Sequence, residues 1–381
     1  MCAIIEKIQK EVPIMSTNEN KDKKAEVTAL QAISAEDRKD WISLAFVQAG
    51  ICVCVPAFLL GALLAEAMPI WPAIISGSLG YLIVVVGMVA TGMIGCDLGL
   101  ASCTCCQAGF GKSGARFIVS TIFAVNMIGW FGIQNGVCGE AFSNAMLAMT
   151  GWDIPVVVSN TIWGIIMLLT AVYGVHALEK LDKISIPLLM IIMCYGTFLA
   201  FKVYGTGNLN DEGTVQSMSF MSGVALSFNF TAVGTITGPD YTRFQKSRKD
   251  TVKSVFYGVF PMGVITLIMG IVLTKLSGQY DISMVLIEVG LPLLGIIALV
   301  ISTWTTNSTN AYSAGLNIVM ALKLKDNRRR EATLISGIVG IVLCDLGILG
   351  HVEGVLSLLS YVVCPVGGVI LADYWVVGKG K

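Results

Sequence analysis

The chain has 381 residues, of which 55% are hydrophobic and 13% charged, and its mean hydropathy is +0.77. A soluble chain carries about a quarter charged residues, so composition excludes a water-soluble domain and indicates an all-α polytopic membrane protein. The 25 basic and 25 acidic residues cancel; no nucleic-acid partner is expected, and the bilayer is the expected surrounding.

Residues 1–40 are polar and mixed in charge, without the apolar core of a signal peptide. They are expected to form a cytosolic tail, disordered to about Glu36, with Met15 as an alternative start. Ten apolar segments follow, at about 41–67, 70–94, 118–148, 155–176, 184–204, 216–238, 252–275, 289–322, 332–350 and 354–377. Most exceed the roughly 20 residues that cross a hydrocarbon core. All lysines and arginines except Lys202 and Lys275 fall on one side of this arrangement. The positive-inside rule makes that side cytoplasmic, with both termini there, in a plasma (inner) membrane.

Span 1 carries Gly50, Pro56 and Gly61, which weaken a helix in mid-membrane. Span 6 is interrupted likewise at Gly234, Gly238 and Pro239. These are the first spans of two five-helix halves, 41–215 and 216–378. Five is odd, so the second half is inverted. Matched interruptions in inverted halves point to broken helices around a central site; ordinary kinks are the plainer alternative.

Cys96, Cys103, Cys105 and Cys106 form a cluster without a second spaced pair, and no histidine is near. They read as small apolar packing residues. Gly111-Lys112-Ser113 resembles the end of a phosphate loop, but Cys106 stands where a glycine is required; a glycine-rich cytoplasmic loop is expected there. His176 and His351 read as interfacial. Glu140 and Glu288 lie nearest the core among acidic residues, with roles left open.

In span 3, Trp130 and Gln134 are four apart and share a helix face. An indole face with an amide one turn away suits a flat heteroaromatic ligand, and simple helix packing suits it equally. Phe230 in span 6 could supply an opposing face. Span 8 holds a polar island from Ser302 to Tyr312 inside apolar sequence. Thr305 and Thr306 offer neutral oxygens of the kind hard cations take, as would carbonyls freed near Gly50 to Val53. Asn307 could read a base edge. Helix packing accounts for some of these groups, and is the better assignment for Ser308, Thr309 and Asn310. No nucleophile–base pair or metal set lies deep in the spans, so an enzyme is not expected.

At these residues the chain resembles the nucleobase–cation symporter-1 family, most closely its cytosine permease branch. The resemblance rests on Gly129-Trp130-Phe131-Gly132, Gly234-Thr235-Ile236-Thr237, Asp240-Tyr241-Thr242-Arg243-Phe244, Trp304-Thr305-Thr306-Asn307 with Tyr312, and Phe110 to Ala115. It runs from about residue 30 to 377. It implies a LeuT-like fold of inverted five-helix repeats and sodium-coupled uptake of cytosine or a related nucleobase, with a purine, allantoin, a hydantoin or hydroxymethylpyrimidine and proton coupling as the alternative, and with no enzymatic cofactor. It further implies that Trp130 and Phe230 sandwich the base, that Asn307 and Gln134 hydrogen-bond it, and that Thr305 and Thr306 ligate sodium with the carbonyls of Gly50, Val53 and Ser302. Members of the family usually carry twelve spans, where this sequence has ten, and Ser302 stands where the cytosine permeases carry asparagine.

Overall fold

The computed structural model describes residues 32–173, 175–210, 217–279, 282–325 and 328–380. Most of residues 1–40 therefore lie outside the described residues, as does the side chain of His176. Among the described residues the chain is helical. Span 1 is the pair α1 (Trp41–Cys52) and α2 (Val55–Ala67), bent by 53°. Span 2 is α3 (Ile70–Leu98); then come the short α4 (Ser102–Cys105) and α5 (Gln107–Gly114). A π-helical turn, Ala115–Val119, leads into span 3, α6 (Ser120–Thr150). Spans 4 and 5 are α7 (Val156–Tyr173) and α8 (Val175–Tyr204). Span 6 is α9 (Phe220–Thr231) with α10 (Gly234–Thr242), and span 7 is α11 (Arg248–Ser277). A short α12 (Ile282–Glu288) precedes span 8, α13 (Pro292–Leu322). Spans 9 and 10 are α14 (Arg329–Asp345) and α15 (Val352–Leu371), the latter continued by a π-helical turn, Ala372–Val377.

Among the described residues six helices are long and apolar enough to cross a membrane, and the bent pair of span 1, taken as one span, makes a seventh. Span 4 is apolar but short, and span 9 has 17 residues. Span 8 has 31 residues, and its polar island dilutes its apolar character. The segment expected as a glycine-rich loop is helical on either side of a kink at Gly111, whose φ of 69° and ψ of 167° lie outside the helical region. Glu288 ends its own short helix rather than opening span 8, and Tyr204 donates a hydrogen bond to it. His351 is exposed in a 3₁₀ turn before span 10.

Two groups of four helices emerge. Spans 1, 2, 6 and 7 pack on one another, and spans 3, 4, 8 and 9 form a second group. The first is held by glycines that bring backbones together. A Cβ on Gly61 would lie 2.5 Å from Leu267 O and 2.9 Å from Ile271 N; one on Gly270 would lie 2.5 Å from Phe58 O. Neither neighbour is a side chain that can turn aside. Gly61→Val is expected to cost roughly 3 kcal/mol through overpacking, seen as a lowered melting temperature in detergent with a shift toward aggregate.

The tail's last residues dock beside the start of span 1. Ile33 N–H donates to Gly99 O at 2.9 Å, and Lys39 N–H to Phe244 O at 2.7 Å.

Candidate functional site

The break in span 1 has a local cause. Pro56 occupies the first turn of α2, where its missing N–H costs nothing. Upstream, Val53 (φ −92°, ψ 73°) and Cys54 (φ −140°, ψ 158°) leave the helical region. Val53 N–H donates back to Ala49 O and Ala57 N–H to Cys54 O. The carbonyls of Gly50 and Val53 thus lose the donors that a continuous helix would give them. Span 6 is interrupted more gently, at Ala232 and Val233, which keep helical dihedrals.

The break lies where two packed clusters meet. Cys52 belongs to a cluster with Tyr81 of span 2, Trp130 of span 3, Phe230 of span 6 and Leu356 and Leu359 of span 10. The next residue, Val53, belongs to another, with Phe58, Ile186 and Leu189 of span 5 and Ala298 of span 8. Ser302 follows Ala298 by about one helical turn, and Ile186 also covers Gly50.

On the first side, Trp130 and Phe230 are buried and touch edge to face, with centroids 5.2 Å apart and planes at 78°. They do not form parallel walls, so a ring entering between them has to part them. Gln134, one turn along from Trp130, is buried, and its Oε1 has no hydrogen-bond partner among the described residues. A buried amide oxygen without a donor is costly, and Gln134 shares this with Asn126 and Asn135 of the same span.

On the second side, span 8 stays helical through its polar island because its hydroxyls bond back along the helix. Thr305 Oγ1 and Thr306 Oγ1 donate to Ser302 O at 3.2 and 3.1 Å. Three oxygens are thereby gathered within one turn, and each hydroxyl oxygen keeps lone pairs. Together with the carbonyls at the break they are neutral oxygen donors without a carboxylate, which suits a hard monovalent cation rather than a transition metal.

Asn307 is bonded to span 3's backbone at the residue after Trp130. Its Nδ2 donates to Phe131 O at 3.1 Å and reaches Met167 Sδ at 3.5 Å, while its Oδ1 accepts from Asn310 Nδ2 at 3.4 Å. The last two contacts are weak and exchangeable. Ser308 Oγ donates to Met167 O and Thr309 Oγ1 to Thr305 O, so both serve packing. Trp304 Nε1 donates to Thr170 Oγ1 at 2.9 Å and fixes the span's rotation.

Span 10 is the element that the motifs did not reveal. Asn229 Nδ2, beside Phe230, donates to Ser357 Oγ at 3.2 Å, and Ser360 Oγ donates to Asn229 O at 3.1 Å. The available signal was Ser357 and Ser360, three apart on one face of an apolar helix. Cys103 and Cys105 are buried and pack with Phe123 and Tyr374. At the basic end, burial lowers the Arg243 guanidinium's hold on its proton, and the Asp240 carboxylate opposes this.

Helical spans around a broken span 1 are the architecture of a membrane transporter, and the known proteins that this chain is similar to are permeases and transporters, not enzymes. Residues 33–381 match the family model described as permease for cytosine/purines, uracil, thiamine, allantoin. The chain is 30% identical over 341 residues to the cytosine permease of Escherichia coli K12, covering 88% of this chain and 78% of that one. Among solved structures it resembles Mhp1, a nucleobase-cation-symport-1 family transporter with bromovinylhydantoin bound, at TM-score 0.78 and 18% identity, over 91% of this chain and 80% of that one. A Na+-coupled sialic acid symporter gives TM-score 0.62 at 13% identity, over 90% and 80% of the chains. The chain belongs to the cytosine/purine permease family.

Proposed function

We propose that this permease takes up cytosine, or a base close to it, with sodium, across a plasma membrane with both termini inside. One observation carries the reading: at the break in span 1, Cys52 packs in the cluster of Trp130 and Phe230 while the next residue, Val53, packs in the cluster of Ala298, about one helical turn before Ser302 on span 8. A flat ring would stack on Trp130 and Phe230, with Gln134 Oε1 accepting from a ring or exocyclic N–H. Asn307 would join by exchanging Asn310 or Met167 for the base. The cation would sit among Thr305, Thr306 and the carbonyls of Ser302, Gly50 and Val53. Each ligand closes the same joint between the two helix groups. By linkage, sodium and base then raise each other's affinity, which couples the gradient to alternating access. The charge asymmetry of the loops supports the orientation.

Uptake of radiolabelled cytosine, with and without a sodium gradient, tests this. Accumulation that ignores sodium refutes the coupling. Stronger competition by uracil, purines or allantoin than by cytosine reassigns the substrate within the family's range. Gln134→Leu removes the waiting acceptor at similar volume; base affinity is expected to fall about tenfold, the worth of roughly one good hydrogen bond. Unchanged competition curves would remove Gln134 from the site.

A further inference from the structure

Span 10 is tied to both helix groups. Its outer half lies against span 3, with Leu359 on Gly129 and the preceding turn's Ile348 and Leu349 on Gly132 and Gly136, and is hydrogen-bonded to Asn229 of span 6 through Ser357 and Ser360. At its basic end the directional contacts run to spans 2 and 7. Arg248, at the start of span 7, donates from Nε to both oxygens of Asp97 in span 2, at 3.0 and 2.9 Å, and its Nη2 lies 2.7 Å from Asp97 Oδ2. Tyr374 OH donates to Asp97 Oδ2 at 2.6 Å and accepts from Arg248 Nη2 at 3.3 Å. Arg248 Nη2 also donates to Gly380 O at 2.8 Å, and its guanidinium lies 5.3 Å from the Trp375 ring centroid. Trp375 Nε1 donates to Ala90 O of span 2 at 3.1 Å. Between the two ends the helix contains Pro365, which removes one backbone bond, with Gly367 and Gly368 beyond it.

We propose that Asp97, Arg248 and Tyr374 are positioning residues for transport: a latch that makes the basic end of span 10 move with spans 2 and 7. An isolated exposed ion pair contributes little, and here Arg248 is 43% and Asp97 23% exposed. The network differs from an isolated pair because one carboxylate receives two guanidinium contacts and a phenol, a geometry that fixes direction as well as proximity. If the four-helix groups rotate against each other, a helix anchored to both must flex, and Pro365 to Gly368 is where its ladder is weakest. Without the latch, the basic end of span 10 is released from spans 2 and 7, and the rotation of that group is no longer passed to this end of the helix that covers Trp130.

The test pairs transport with a distance. In a background with Cys2, Cys194 and Cys364 replaced by serine, spin labels on Val252→Cys of span 7 and Val376→Cys report the latch in the full-length protein. The unaltered latch should give one narrow distance distribution. Asp97→Arg and Arg248→Asp each bring like charges together; each should broaden the distribution and slow uptake about tenfold or more, an effect on the scale of 1.4 kcal/mol per factor of ten. The exchanged pair, Asp97→Arg with Arg248→Asp, should narrow the distribution and restore uptake to within about threefold of wild type, which like-charge repulsion alone predicts for a restored pair. Tyr374→Phe, which keeps the ring, should broaden the distribution less. Narrow distributions in both single variants, or an exchange that restores neither readout, would overturn the latch. The inference rests on a transport cycle but not on its cargo: absence of base uptake by the wild type refutes the proposed substrate, while the distances still decide the latch.

Discussion

Trp130→Ala is expected to lower the affinity for cytosine by about 10- to 100-fold, since a base stacked on an aromatic side chain is worth roughly 1–3 kcal/mol. The indole is buried, and its ring touches Phe230 at 5.2 Å. Removing it also opens a hole in the cluster that holds Cys52, Tyr81 and Leu359. Truncating a buried Trp costs about 3–5 kcal/mol in a core, so lost uptake alone would not separate binding from folding. Trp130→Phe makes the separation. It keeps a π face and most of the volume, so the melting temperature should stay within a few degrees of wild type while affinity falls by less than the alanine variant. Equilibrium binding by competition, with a thermal melt of each protein, measures both. A Trp130→Ala protein that folds and binds cytosine as wild type does would end the stacking proposal. Phe230→Ala should behave in parallel, and the double variant should lose less than the sum, because the rings contact each other and share one ligand.

The parts of this architecture that were legible in the sequence share a physical reason: they are set by local chemistry. Pro56 can open a helix but not continue one, so the chain breaks just before it. The structure puts that break at Val53–Cys54, at the edge of the window read from Gly50 to Val53. Span 6 looked equally broken and is not, because Ala232 and Val233 hold helical dihedrals and Gly95 of span 2 seats Pro239 closely, with a Cβ there only 2.5 Å from Pro239 Cα. That accommodation is tertiary, and no local pattern announces it. Asn307 illustrates the same limit. Its residue type suits a base edge, yet which way the amide turns depends on Phe131, far away in sequence. Span 10 escaped notice for a related reason: its contribution is apolar coverage by Leu356 and Leu359 plus two serines, and such residues are ordinary in any membrane helix. The polar island, in contrast, was conspicuous because hydroxyls and amides in hydrocarbon must be satisfied. The structure satisfies most of them along the helix itself: Ser302 and Thr303 converge on Leu299 O, and one turn later Thr305 and Thr306 converge on Ser302 O.

That convergence gives the second large effect. Replacing Thr305 and Thr306 together with Val keeps the side-chain shape and removes both hydroxyl oxygens. The half-saturating sodium concentration is expected to rise at least about tenfold, the consequence of losing charge-assisted contacts worth roughly 1.5–3 kcal/mol each. The helix itself should survive. The hydroxyls donate to Ser302 O, a carbonyl already within the helical ladder, and Val at these positions leaves the backbone bonds in place. The discriminating measurement is base affinity as a function of sodium. In the wild type, sodium should tighten base binding, and base should tighten sodium binding by the same factor, because the coupling free energy is one quantity. In the double valine variant the base affinity without sodium should equal that of the wild type, since Trp130, Phe230 and Gln134 are untouched, while the tightening by sodium disappears. An equal loss at zero sodium would mean that the threonines support the base site directly or hold the helix in place. A retained sodium response would mean that the cation sits elsewhere, and the carbonyls freed at Gly50 and Val53 would then need another partner than span 8. The choice between these outcomes turns on geometry already visible: Cys52 and Val53 are adjacent in the chain and bury themselves in different clusters. A cation that draws Val53 toward span 8 must therefore pull on the residue that packs beside Trp130.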